Sequence, residues 1–220
     1  MKTRPITMIG TLAFGSSRPD RLAAEALAAA LSDDPFYAAI TLDAIDRREA
    51  LIQYFEYSVW EGRQLGTVVV PIGDPPGAAI WTLPQPSDVM EQAQQAKHAA
   101  FATLLGPRGL DNYQAILASM EAIARTVIPG GSWYLSILGV APHLQGRGLG
   151  RTLLEPTLSE ADRNGVRCYL ETYNAASLRF YARLGFRDVA ENLEPTINAR
   201  YWIMLREPQS CSNVGIGHPG

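Results

Sequence analysis

The chain has 220 residues, 47% hydrophobic and 19% charged. It is long enough to bury roughly 70–75% of its unfolded surface without a metal or disulfide staple, and too apolar for a disordered chain. Nineteen Lys and Arg against 22 Asp and Glu leave a formal charge of −3, so no global field draws in nucleic acid or an anionic membrane, and any anion must be met by a local site.

The first element expected is a strand over 6–14. Lys2 and Arg4 ahead of this apolar run imitate a secretory signal, but Pro5, Thr7, Gly10 and Thr11 interrupt it and no A-x-A site follows directly. A turn at Ser17-Arg18-Pro19-Asp20 opens an Ala-rich helix over 21–31, which Asp33-Asp34-Pro35 stops. A second helix spans 46–60, with Leu51, Phe55 and Val59 on one stripe. Strands over 67–72 and 78–83 follow, joined by the turn-rich link 73–77 as a hairpin. Residues 87–128 read as a helical insert broken at 106–109, of the kind that forms lids. Beyond it come a strand over 133–140, a helix over 148–163, a strand over 166–171, a short helix over 175–184 and a last strand over 201–205.

Residues 1–208 are expected to form one domain, and 209–220 a polar, flexible tail. No apolar stretch reaches the roughly 20 residues that span a membrane. Two cysteines, Cys168 and Cys211, lie far apart with no CxxC pattern; they suggest neither a disulfide framework nor a zinc site, and the expected compartment is the reducing cytoplasm, with no metal.

Chemistry concentrates between the 133–140 strand and the 148–163 helix, in Gln145-Gly146-Arg147-Gly148-Leu149-Gly150-Arg151. Alternate glycines remove Cβ atoms where the chain turns, so backbone N–H groups can close on a phosphate at a helix N-terminus, and Arg147 and Arg151 add cationic donors. The plainer reading is a Gly-rich turn with two solvated arginines. A P-loop is excluded, because neither Gly146 nor Gly150 starts the spacing GxxxxGK[ST]. The dinucleotide fingerprint GxGxxG fits poorly, since its third glycine comes one residue early and Pro142 to Gln145 separate it from the strand, although Glu171 stands about 20 residues on as that motif requires.

The segment Gln145-Gly146-Arg147-Gly148-Leu149-Gly150 resembles the Q/R-x-x-G-x-G/A acetyl-CoA loop of the GNAT superfamily of N-acetyltransferases, preceded by the usual Val-x-Pro at Val140-Ala141-Pro142. Asn174 with Phe180-Tyr181-Ala182-Arg183-Leu184-Gly185-Phe186 resembles that superfamily's second motif, N…FYxxLGF. Within it, Trp133-Tyr134-Leu135, Leu170-Glu171-Thr172, Pro156 and Ile80-Trp81-Thr82 resemble the puromycin N-acetyltransferases.

The resemblance implies an α/β (α+β) fold: a twisted mixed, mostly antiparallel sheet split by a V-shaped cleft and flanked by helices. It implies acetyl-CoA as co-substrate, held by the backbone at Leu138, Gly139 and Val140, by the loop from Gln145 through Gly146, Arg147, Gly148, Leu149 and Gly150 to Arg151, and by Asn174. The activity implied is acetyl transfer to a primary amine of a small molecule, an aminonucleoside or other antibiotic-like amine. A peptide or protein acceptor is the alternative within the class, and a non-catalytic acetyl-CoA-binding module the alternative outside it. Tyr181 is then the general acid for the departing thiolate, against the reading of a core tyrosine. Glu171 faces away from Val166, Cys168 and Leu170 and is a candidate base for the amine proton, against the reading of a plain strand-end carboxylate. His143 reads as a solvated loop residue. The aromatic side chains Phe36, Tyr37, Tyr54, Tyr57 and Trp60 offer faces for an acceptor, and Asp33 and Asp34 offer charges for a cation, although core packing and a charged helix end explain the same residues.

Overall fold

Ser17 opens the region that the computed structural model describes, residues 17–71 and 77–209. The expected strand over 6–14, most of the 73–77 link and the tail beyond Gln209 lie outside the described residues. The Ser17 hydroxyl accepts from the N–H of Asp20 and Pro19 occupies the first turn, so α1 (Arg18–Leu31) begins earlier than 21. Asp34 and Pro35 do more than stop it. The Asp34 carboxylate accepts from the Phe36 N–H at 2.9 Å and starts a further helix, α2 (Pro35–Ile40), that the stop signal conceals. Asp46 caps α3 (Arg47–Leu65), which runs past the expected end at 60.

The chain continues through β1 (Gly66–Val69), β2 (Gly77–Thr82), α4 (Ser87–Leu104), α5 (Gly106–Val127), β3 (Trp133–Val140), α6 (Leu149–Arg163), β4 (Cys168–Thr172), α7 (Leu178–Ala182), β5 (Arg187–Glu194) and β6 (Ala199–Arg206). Pro156 lies inside α6, which continues beyond it. The described strands form one sheet in the order β1-β2-β3-β4-β6-β5, antiparallel except for β3 and β4. This is the mixed, mostly antiparallel sheet expected, with helices on both faces.

The parallel pair is short. Trp133, Tyr134 and Leu135 stand opposite Cys168, Tyr169 and Leu170, and there the pairing ends, although β3 stays paired with β2 as far as Val140. A bulge marks the divergence: Leu135 is opposite Trp81 and Ile137 opposite Ile80, leaving Ser136 as the extra residue, its hydroxyl donating to the Ile80 carbonyl at 2.9 Å. The bulge reverses the alternation of faces. Trp133 and Leu135 pack on the α6 side, Ile137 packs among α1 to α5, and Val140 returns to the α6 side.

Residues 87–128 are not a detachable lid. Phe101, Leu105 and Ile116 are fully buried in the same core as Leu27, Ile52 and Phe55, so α4 and α5 form part of one helical layer. No helix among the described residues is long and apolar enough to cross a membrane.

At the far end of the sheet, buried Arg206 donates twice to Asp162 of α6, at 2.7 Å each, and once to the Leu184 carbonyl at 2.8 Å. The pair holds the Asp162 carboxyl below its ordinary range, so its contribution is present at neutral pH and lost as the pH falls through that lowered value. Removing one partner of a buried pair strands the other, and Arg206→Ala is expected to cost about 3–5 kcal/mol in urea unfolding at pH 7. A loss under about 1 kcal/mol, the range of an exposed pair, would show that the pair is dispensable.

Candidate active site

Beyond Leu135, β3 and β4 splay apart, and residues 136–140 have no strand partner on the β4 side among the described residues. A cleft of about 200 Å³ opens there, lined by Tyr134 to Leu138 of β3, Leu170 to Tyr173 of β4 and its exit, Tyr181, and the α1, α2, α3 and α5 residues Leu31, Asp34, Phe36, Tyr37, Tyr54, Leu117 and Met120. An unpaired strand edge offers N–H and C=O groups to an extended ligand.

Glu171 faces this cleft, on the side of β4 away from buried Cys168 and Leu170. The Tyr134 hydroxyl, stacked by its ring on Tyr169, donates to Glu171 Oε2 at 2.9 Å. Glu171 Oε1 is buried with no partner among the described residues. Burial pushes the Glu171 carboxyl up to about 7, with the Tyr134 hydrogen bond opposing and the charge of Glu121 assisting. The carboxylate is therefore balanced between protonated and ionised at neutral pH. Tyr134 has no signal in the sequence as a site residue, because its meeting with Glu171 depends on the short β3–β4 register.

Tyr181 reaches the same cleft from α7, with its ring 5.0 Å from Phe180 and 5.9 Å from Phe186. It is a core residue and a cleft residue at once, and burial raises its phenol well above the ordinary value. Of the aromatic cluster, Phe36, Tyr37 and Tyr54 line the cleft, whereas Tyr57 and Trp60 pack against each other away from it, Tyr57 also touching Phe101. Asp34 lines the cleft while Asp33 is exposed on the helix end.

The glycine loop runs from the end of β3 into α6. Gly146 and Gly148 take positive φ, 77° and 80°, with open space where a Cβ would stand, and Gly150 lies under Phe180. Gly148 caps α6 without any side-chain hydrogen bond, so the first N–H groups of the helix face outward, flanked by exposed Arg147 and Arg151. Leu149 forms the first turn of α6. Gln145 turns back, its amide donating to the Val140 carbonyl at 3.0 Å, and so shapes the loop. Gly139 packs on α1, where a Cβ would meet Leu27 and Ala30. Asn174 is exposed and caps the turn after β4, accepting from the Ala176 N–H at 3.0 Å. His143 is exposed in the 3-10 turn Pro142–Leu144. An uncapped helix start with backbone room at Gly146 and Gly148, continuous with the open β3 edge, fits a ligand with a diphosphate joined to an extended amide arm.

The family model for the acetyltransferase (GNAT) family matches residues 59–186. The chain belongs to the GNAT family. It is an acetyl-CoA-dependent N-acetyltransferase. An uncharacterized N-acetyltransferase of Schizosaccharomyces pombe is 27% identical over 203 residues, spanning 87% of this chain and 81% of that one. The ribosomal protein bS18-alanine N-acetyltransferase of Escherichia coli is 34% identical over 105 residues, 46% of this chain and 71% of its own. Among solved structures, arylalkylamine N-acetyltransferase 2 of Aedes aegypti shares the fold, with a TM-score of 0.62 at 17% identity over 88% of this GNAT chain and 96% of its own. A histone acetyltransferase HPA2-related protein of Corynebacterium glutamicum does so with a TM-score of 0.65 at 19% identity over 90% and 96%.

Proposed function

We propose that this GNAT enzyme transfers the acetyl group directly to the primary amine of a small molecule with an aromatic or nucleoside part, in the cleft between β3 and β4. The observation that carries this reading is Glu171, a buried carboxylate with one free oxygen beside an unpaired strand edge. Acetyl-CoA supplies the activated acetyl group when bound. Residues 146–151 and the start of α6 hold its diphosphate, with Gln145 keeping the loop in shape, while Leu138, Gly139 and Val140 offer backbone groups along the open edge. There an N–H can stabilise negative charge developing on an acyl oxygen. Asn174 fixes the turn that brings α7 and Tyr181 to the cleft.

Glu171 Oε1 accepts the proton of the incoming amine, directly or through water, and the Tyr134 hydrogen bond holds the carboxylate in place. The Tyr181 hydroxyl, which keeps its proton at neutral pH, supplies one to the departing sulfur. Cys168, the cysteine among the described residues, is buried on the α6 side with its thiol pushed up to about 12. A neutral, enclosed thiol is a poor nucleophile, which supports direct transfer over a Cys168 acyl carrier.

The cleft volume and its aromatic wall support a small acceptor. The puromycin N-acetyltransferase resemblance extends that to aminonucleosides, and the arylalkylamine enzyme of Aedes aegypti shares the fold. The bS18-alanine enzyme of Escherichia coli favours a second reading, a peptide α-amine. The reducing cytoplasm is the proposed compartment. The test is acetyl-CoA thiol release with arylalkylamines, aminonucleosides, polyamines and Ala-headed peptides. Turnover is expected with the first two; turnover only with peptides or only with polyamines would overturn the acceptor assignment.

The loop assignment is tested separately. Gly148→Val forces a β-branched residue to φ 80°, which such side chains rarely adopt. CoA affinity by calorimetry is expected to fall at least tenfold, about 1.4 kcal/mol. Unchanged affinity in a folded variant would remove the loop from the binding site.

A further inference from the structure

The cleft carries two carboxyl groups, Asp34 and Glu171, and no Lys, Arg or His lines it among the described residues. One stands at the start of α2 and the other on β4. Asp34 Oδ1 accepts from the Phe36 N–H at 2.9 Å. Burial raises the Asp34 carboxyl and the N–H groups of Phe36 and Tyr37 counter that rise, a sign that the charged form is partly withdrawn from water. Asp34 and Glu171 both act on the phenol of Tyr173, which lines the same cleft. The second observation is Glu171 Oε1, which is buried without a partner in the same cleft.

We infer that the cleft selects aromatic amines that carry no carboxylate beside the amine, with Asp34 as the specificity-determining residue: a decarboxylated aromatic amine is accepted and its parent amino acid is refused. The inference rests on the aromatic-amine reading above and narrows it. A zwitterionic amino acid must bring its own carboxylate into a cleft with two others, with no cationic side chain in the wall to receive it. Two like charges, each at ~12 Å with an effective dielectric of ~20, correspond to about a tenfold loss apiece and about a hundredfold together. The protonated form of a simple amine meets the opposite field on entry and loses its proton to Glu171, so the same charges that repel the amino acid concentrate the amine. Asp34 acts through its charge, because its capping bond to Phe36 can be made equally by Asn.

The experiment compares kcat/KM, expressed per neutral amine at one pH, for 2-phenylethylamine, phenylalanine, phenylalaninamide and an Ala-headed peptide, with the wild-type chain and Asp34→Asn. The wild type is expected to prefer phenylethylamine to phenylalanine by about 100-fold, with phenylalaninamide within about tenfold of phenylethylamine. Asp34→Asn is expected to narrow the amine-to-amino-acid ratio about tenfold. Phenylalanine used within about threefold of phenylethylamine, or a ratio that Asp34→Asn leaves unchanged, overturns this inference alone. Turnover of the peptide with none of the three small acceptors overturns it together with the reading on which it rests.

Discussion

Glu171→Gln is expected to lower kcat by about 10²–10⁴-fold, the range that general acid–base catalysis supplies, with CoA affinity unchanged. Gln keeps the shape of the side chain and can still accept from the Tyr134 hydroxyl, so the loss isolates proton acceptance at Oε1. The wild-type pH profile should carry the same signature. With the carboxyl at about 7, kcat rises as the pH rises through that value, because only the ionised form accepts a proton. Tyr134→Phe removes a bond that favours the ionised form, and moves the rise to higher pH.

Stability should run the opposite way. The folded pKa of Glu171 lies above its ordinary value of 4.5, so its favourable contribution is complete below the ordinary value and is lost as the pH rises through the folded one. The shift corresponds to roughly 3 kcal/mol. Glu171→Gln is therefore expected to unfold later in urea than the wild type at about pH 8, with the advantage gone at about pH 4. A variant that keeps more than about a third of wild-type kcat with chemistry rate-limiting would return Glu171 to a strand-end carboxylate.

Tyr181→Phe is expected to lower kcat by about 10²–10⁴-fold with a small change in melting temperature. The ring keeps its contacts with Phe180 and Phe186, and only the hydroxyl is lost. Loss of a hydroxyl that served structure alone would cost about 1 kcal/mol and leave turnover near normal. Tyr181 is buried in the α6-side core as well as lining the cleft, so position alone does not separate the two roles, and the split between kcat and stability does. Near-normal kcat would leave proton delivery to water.

The glycine loop is legible in the sequence because its requirements are local: positive φ at Gly146 and Gly148 and an uncapped helix start follow from the residues themselves. Glu171 is legible for the same reason, since period-2 alternation puts it opposite Cys168 and Leu170. α2 is hidden because Asp34-Pro35 both ends one helix and begins the next. The bulge at Ser136 is hidden because an apolar strand with a single Ser reads as unbroken alternation, whereas the face reversal depends on pairing with Ile80 and Trp81. For the insert, periodicity suggests a lid because it reports an apolar stripe and not what covers it; Phe101 meets Tyr54 and Tyr57 of α3 only in the fold. Met120 enters the site through such long-range packing, and Trp133-Tyr134-Leu135, though part of the family resemblance, carries no sign that Tyr134 meets Glu171.

The proposed function requires that amine and thioester meet in one cleft and react directly, without an acetylated enzyme. Initial velocities with both substrates varied put this to the test: double-reciprocal plots at several fixed acetyl-CoA concentrations should converge to a common point. Parallel lines, with an acetyl group retained on the protein when acetyl-CoA is supplied alone, would contradict it.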